Sequence, residues 1–222
     1  IDGTITTGTS STTISGVTYN VAESNVVLVI DRLSGDFLVA GTSDPITVAG
    51  AAPVALEIPA IANQTAGTPF NVTVRALDGL GNESDVTADT DISLQLFLGS
   101  GVLAGTTTGT ITAGTSSVTI NGVELNTSQT GAVIRAGRTS GDVLADGDSN
   151  AFLVSPGAPS RLTLDLIGNQ AANVAFIVTA QVIDDYDNIV GVTTDTDLTV
   201  SRATGTGTLD GTVSRTIPTG DS

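Results

Sequence analysis

Residue i of this chain resembles residue i+106 from one end to the other, and that self-similarity limits the possible folds more than any other feature. Of the 116 pairs that an offset of 106 allows in 222 residues, 48 are identical and no gap is needed anywhere. Residues 3–17 (GTITTGTSSTTISGV) face residues 109–123 (GTITAGTSSVTINGV), and Ser34-Gly35-Asp36 faces Ser140-Gly141-Asp142. Asn63-Gln64 faces Asn169-Gln170, and Asp89-Thr90-Asp91 faces Asp195-Thr196-Asp197. Agreement of this kind at a domain-sized period marks a tandem array, in which whatever one copy folds into the other must fold into as well.

The stretch 70–82 (FNVTVRALDGLGN), repeated as 176–188 (FIVTAQVIDDYDN), shows what the unit is made of. Phe70, Val72, Val74 and Ala76 alternate with Asn71, Thr73 and Arg75; Phe176, Val178, Ala180 and Val182 alternate in the same way, with Ile177 as the exception. A period of two predicts a half-buried strand, because successive side chains point to opposite faces of a sheet. Each run ends in short polar residues that can bond their own backbone in a turn. No window keeps an i, i+3, i+4 apolar spacing, so the chain reads as all-β. Hydrophobic residues make up 40% of it but aromatics only 3%, so the cores must be built from Val, Ile, Leu and Ala.

The segments 49–53 (AGAAP) and 155–159 (SPGAP) are Pro/Gly/Ala bridges that cannot lie inside a central strand. Taking them as linkers gives a complete unit over 53–158, the last half of a unit over 1–52 and the first half of another over 159–222. A rival frame with its boundary in 99–117 would give two self-contained units and a short tail. Within 53–158 the expected strands begin with one formed by Leu56, Ile58 and Ala60. They continue through 70–77, 91–98, 115–125, 132–136 and 151–154, with a Gly/Thr-rich excursion at 99–110 pairing along an edge. About seven short strands in some 100 residues is the pattern of an immunoglobulin-like Greek-key sandwich.

The order Leu-x-Ile, Gln-x-Ala-Gly-x-Pro-Phe-x-Val-x-Val, Asp-x-x-Gly-Asn, Gly-x-Leu-x-Gly-Thr and Phe-x-Val resembles the bacterial Ig-like repeats of large surface proteins, including the invasin/intimin type. The second copy departs from it at Asn173 and Asp187, where Gly67 and Gly81 stand in the first. The resemblance implies tandem immunoglobulin-like β-sandwiches at the cell surface. In that setting the segment would serve as stalk, adhesin shaft or filament, its partners being neighbouring repeats end to end and other copies in a fibre.

The missing residue types narrow the chemistry. The chain has no Cys, His, Met, Trp or Lys, and its seven basic residues are all Arg. Nucleophiles paired with His, Lys Schiff bases and His/Cys metal sites each lack a member, so no enzyme is expected. A two-carboxylate glycosidase needs only acids, but Tyr19 and Tyr186 alone offer little platform for a sugar ring. A net charge of −16 opposes binding to nucleic acid or anionic membranes and suits a solvated extracellular protein. No stretch approaches the roughly 18 apolar residues of a membrane helix. Export and anchoring signals would lie outside this segment.

The best site candidate is the acidic loop after the 70–77 strand. Asp78, Asn82, Asp89 and Asp91 have the identical counterparts Asp184, Asn188, Asp195 and Asp197, and Asp185 and Asp187 add to the second copy. In an immunoglobulin-like unit this loop lies at the end nearest the preceding unit, where clustered hard oxygens could hold calcium and stiffen the array. The alternative is that Asp and Asn make the turn and solvate it. No cofactor is otherwise required. The stretch 146–150 (DGDSN) looks like half a calcium loop, but its counterpart 40–44 (AGTSD) lacks the acidic pair, so it reads as a hairpin turn. The glycines at 99, 101 and 105 read as positive-φ turn positions beside a short edge strand, without the lysine of a phosphate loop. Two other roles fit the same sequence: a glycan- or protein-binding Ig-like module, and a spacer attached to an enzyme.

Overall fold

A computed structural model describes residues 2–222, and every regular element among them is a strand. None is a helix long and apolar enough to cross a membrane. Before the first Pro/Gly/Ala bridge come β1 (Glu23–Val26), β2 (Val29–Ile30), β3 (Gly41–Thr42) and β4 (Ile46–Val48). Between the bridges are β5 (Ala55–Glu57), β6 (Gln64–Thr65), β7 (Phe70–Leu77), β8 (Thr90–Leu98) and β9 (Leu103–Gly105). They are followed by β10 (Thr108–Ile111), β11 (Ser117–Leu125), β12 (Gln129–Arg138), β13 (Gly147–Asp148) and β14 (Phe152–Ser155). After the second bridge come β15 (Arg161–Leu164), β16 (Ala180–Ile183), β17 (Thr196–Thr199) and β18 (Ser214–Ile217).

The middle strands form two sheets around one core. The first runs β10-β8-β12-β14-β6, with β13 also paired to β12, and the second runs β5-β7-β11-β9. Phe70, Val72, Val74 and Ala76 are buried on β7 while the residues between them are not, as the period of two requires. They meet Ile92 and Leu94 of β8, Ile120, Val123 and Leu125 of β11, and Ala132, Ile134 and Ala136 of β12 in a cluster that reaches from Leu56 to Val154. The Gly/Thr-rich excursion supplies β9 and β10, which lie at the edges of the two different sheets. Gly99, Gly101 and Gly105 all have positive φ there, the turn positions expected of them. The short strands β6 and β13 were not expected from sequence. Gly147 of β13 lies so close to β5 that a Cβ on it would stand 2.3 Å from the Leu56 carbonyl oxygen, so only glycine fits.

The flanking strands repeat the middle ones in register. β1 pairs with β4 as Glu23↔Val48 and Val26↔Ile46, each 106 below Gln129↔Val154 and Ala132↔Phe152 of β12 and β14. β15 pairs with β16 as Arg161↔Ile183 through Leu164↔Ala180, 106 above the pairing of β5 with β7 that starts at Ala55↔Leu77. β17 and β18 pair as Thr196↔Ile217, matching Thr90↔Ile111 of β8 and β10. The departures at Asn173 and Asp187 leave the backbone unchanged. Their φ values of 60° and 68° keep the left-handed conformation of Gly67 and Gly81, at 72° and 85°. Asn and Asp are the residues that tolerate this region best after glycine.

Candidate functional site: the clasp between successive units

The loop that follows β7 is closed on itself and then reaches outward. Asp78 Oδ1 accepts the N–H groups of Leu80 and Asn82, each at 2.9 Å, and the Asp78 N–H donates to the Asn82 carbonyl at 2.8 Å. These bonds make a tight Asp-capped turn of the kind short acidic side chains favour. The second carboxylate oxygen faces the bridge, where Asp78 Oδ2 accepts the Ala51 N–H at 3.1 Å. Asn82 spans the rest of the junction. Its Nδ2 donates to Asp78 Oδ2 at 3.1 Å and to the Asn20 carbonyl at 3.2 Å, and its Oδ1 accepts the Ala22 N–H at 3.3 Å.

The second copy builds the same clasp with the same atoms. Asp184 Oδ1 accepts from the backbone of Tyr186 and Asn188 at 2.8 and 2.9 Å, and Oδ2 accepts the Gly157 N–H at 2.7 Å. Asn188 Nδ2 donates to Asp184 Oδ2 and to the Asn126 carbonyl, both at 2.8 Å, and its Oδ1 accepts the Ser128 N–H at 2.7 Å. Residues 126, 128, 157, 184 and 188 are each 106 above 20, 22, 51, 78 and 82. One Asp and one Asn therefore tie three segments together at both places: their own loop, the bridge, and the turn that leads into β1 or β12. Asp78, Asp184 and Asn188 are buried in doing so. At the second junction the Tyr186 ring also lies over Gly67, where a Cβ would stand 1.9 Å from Cε2.

The remaining candidates lie elsewhere and are occupied separately. Asp89 Oδ1 accepts the Ala113 N–H at 2.8 Å, and Asp195 Oδ1 accepts the Thr219 N–H at the same distance. Asp91 accepts from the hydroxyls of Thr110 and Ser140, both at 2.7 Å, and Asp197 accepts from that of Thr216 at 2.5 Å. These acids pin β8 to β10, and β17 to β18, and take no part in the clasp. Asp185 accepts the Ser160 hydroxyl and Asp187 pairs with Arg161, so the extra acids of the second copy face β15. Among the described residues no group of three or more acidic side chains is placed to hold a metal ion.

Hydrogen bonding holds the clasp carboxylates in their charged form. The Asn82 backbone N–H, followed by the Asn82 side chain and the Leu80 and Ala51 amides, brings Asp78 down to about 2 against the opposing effect of burial. Burial pushes Asp184 up most strongly of any single influence, yet the bonds from Asn188, Gly157 and Tyr186 together leave it below the usual carboxylate range. A carboxylate with a depressed pKa contributes stability that is full above its unfolded value and is lost as pH falls through the folded one. The clasp should therefore hold above about pH 4 and loosen as pH drops toward 2. Protease cleavage in 49–53 and 155–159 by an acid-active enzyme should accelerate over that window, ahead of cleavage within 53–158. An acid-independent ratio of the two would contradict it.

The stretch 146–150 is not the hairpin turn its sequence implies. Gly147 and Asp148 form β13, because Asp148 takes a bidentate ion pair from Arg135 of β12 at 2.6 and 2.7 Å. Buried Ser149 accepts the Ile134 N–H at 3.0 Å. Asn150 then bonds both backbone groups of Ile61, so the segment stitches a sheet edge to the loop before β6.

No family model matches the chain, and no curated protein does. Among solved structures it is similar to domains 4–9 of the surface layer protein SbsC, at 16% sequence identity and a TM-score of 0.29, over 82% of this chain and 29% of that one. The chain thus spans less than a third of that structure, and a score so low says nothing about shared fold or role.

Proposed function

We propose that the chain is a structural segment of an extracellular bacterial surface protein, a stalk, adhesin shaft or filament built from end-to-end immunoglobulin-like units. The observation that carries this reading is the Asp/Asn clasp, made twice at a 106-residue spacing by the same atoms. A device repeated at each junction serves the relation between units rather than any one of them. It fixes the spacing of neighbours, so that reach grows with repeat number. The two central sheets over a shared aliphatic core support the immunoglobulin-like assignment, and the acidic surface keeps a long array solvated and self-repelling. The role is mechanical and involves no catalysis.

In this reading the junctions need no metal ion, because the clasp acids already accept from backbone amides. Calcium from micromolar to millimolar should then leave the melting temperature unchanged. A chelator-reversible rise of about 3 °C or more would place a cation among Asp78, Asp89, Asp91 and their counterparts. The function itself is tested by location and shape. Antibodies against residues 53–158 should label intact cells that make the protein, and small-angle scattering should report an elongated particle. Labelling confined to broken cells, or scattering from a compact sphere, would overturn the proposal.

A further inference from the structure

Two turns meet at the second junction, and the residues that touch there differ between the copies. Residues 65–68 close a turn after β6, with the Thr68 N–H donating to the Thr65 carbonyl at 3.1 Å and Gly67 in the third place at a φ of 72°. The turn is tied to the end of its own unit. The Ala66 N–H donates to the Ser155 carbonyl at 2.8 Å and the Gly67 N–H to the Leu125 carbonyl at 2.9 Å. From beyond the bridge comes the Asp184 loop, whose Tyr186 ring leaves Gly67 no room for a side chain. A Cβ there would overlap Cε2, Cζ and Oη of the ring. In the other copy both places hold another residue. Residues 171–174 close the same turn through the Val174 N–H and the Ala171 carbonyl at 3.3 Å, with Asn173 at a φ of 60° where Gly67 stands. Leu80 takes the place of Tyr186 on a loop capped by the same bond, its N–H donating to Asp78 as that of Tyr186 does to Asp184. The turn therefore accepts Asn and the loop accepts Leu. What requires glycine at residue 67 is the ring.

We propose that Gly67 and Tyr186 form a matched pair that decides which unit can follow which: an aromatic residue at the place of Tyr186 fits only behind a unit with glycine at the place of Gly67. The proposal rests on the tandem reading above and names the contact that makes one junction differ from another. The clasp itself cannot discriminate, because Asp184 and Asn188 reach only backbone groups of Gly157, Asn126 and Ser128, which any unit offers. Tyr186 can, because it presses on a place where a side chain is either present or absent. A Cβ at residue 67 displaces the ring, and the ring is carried between Asp184 and Asn188, so the clasp bonds move with it. Leu at the same place, as in Leu80, has none of the three ring atoms that fill the space and is compatible with Asn opposite. Specificity then comes from a clash against the wrong neighbour as well as from contact with the right one. The neighbour that Tyr186 accepts is a unit of the Gly67 type, and the one it rejects is a unit of the Asn173 type.

The two substitutions that test the pair already occur in the chain at the equivalent places, Asn173 and Leu80, so each should leave its own turn intact. In Gly67→Asn the Gly157 and Ser128 amides should exchange about tenfold faster than in the unsubstituted chain, with β7 and β12 unchanged. Tyr186→Leu alone should speed them by less than about threefold, and adding Gly67→Asn to it should bring no further loss, because the cost of Asn disappears with the ring. Tyr186→Phe, which keeps the ring, should keep the sensitivity to Gly67→Asn. Nuclear magnetic resonance reads the contact directly. The Gly67 α protons, held against an aromatic ring, should resonate outside the range of the other glycines, and Tyr186→Leu should return them to it. No change in exchange on Gly67→Asn, or an equal change with Tyr186→Leu already in place, would overturn the pairing. So would unshifted Gly67 α protons in the unsubstituted chain. If the Gly157 and Ser128 amides are protected in that chain, the tandem reading stands without the pair. If they are not, both fall.

Discussion

Phe70→Ala should lower the stability of the middle unit by about 3–5 kcal/mol, the range for a buried Phe cut back to Ala. Phe70 lies at the start of β7 with its ring edge-on to Phe152, centroids 6.3 Å apart and planes at 71°. The substitution loses the buried area and the aromatic pair, and it opens a cavity among Val, Ile and Leu side chains held by two hydrogen-bonded sheets. Little nearby can collapse into that space. Phe176→Ala removes the same residue from the same strand position, yet its side chain is 43% exposed, so it should cost less than about 1 kcal/mol. Urea unfolding followed by circular dichroism separates the two, since the midpoint shift belongs to the middle unit only for Phe70. Equal effects would contradict the difference in burial between the two rings.

Asp184→Ala should have the second largest effect, and a different one. It withdraws both oxygens from four donors: the amides of Gly157, Tyr186 and Asn188, and the Asn188 Nδ2. Buried donors left without an acceptor cost about 1–3 kcal/mol each, partly recovered where water enters. The loss falls on the junction rather than on the cores, so the unfolding midpoint of 53–158 should barely move while the 155–159 bridge becomes open to protease. Asn188→Ala should act in the same direction but more weakly, because the loop turn made by Asp184 Oδ1 survives it. A fall in the stability of the 53–158 core equal to that of Phe70→Ala would mean that Asp184 supports the core instead.

The strands were legible because a half-buried sheet writes its period into the sequence. Residues 70–77, the third strand from position 91 and the edge role of 99–110 all follow from alternation and turn residues, and the structure places them there within a residue or two. The two-residue strands β6 and β13 were not legible. β6 is set by a partner 90 residues along the chain, Val154 for Gln64, and β13 by the pairing of Asp148 with Arg135, and two residues cannot display a period. The acidic loop is half legible in the sequence. Identity between the copies marked Asp78/Asn82 and Asp184/Asn188, and their place beside the preceding unit was visible. What they bind was hidden, because their partners are backbone amides and carbonyls of residues 20, 22 and 51, or 126, 128 and 157. A backbone amide looks the same in sequence whatever side chain it carries. For the same reason the sequence groups Asp89 and Asp91 with Asp78, whereas they hold β10 and the turn after it through the Thr110 hydroxyl and the Ala113 amide. Asn173 and Asp187, which appear to break the repeat, preserve it by keeping φ positive.

One Asp/Asn pair per 106-residue repeat locks its loop to the bridge and the turn before it, and amide hydrogen exchange reads those bonds one at a time. The Gly157 and Ser128 amides donate to Asp184 and Asn188, and the Ala51 and Ala22 amides donate to Asp78 and Asn82. All four should exchange about ten- to a hundredfold more slowly than unprotected amides near pH 7. In Asn188→Ala the Ser128 amide alone should speed up fully and Gly157 in part, and in Asp184→Ala both should lose their protection while Ala51 and Ala22 keep theirs. Exchange of all four at unprotected rates in the unsubstituted chain, with β7 and β12 still slow, would show that the units fold but are not clasped.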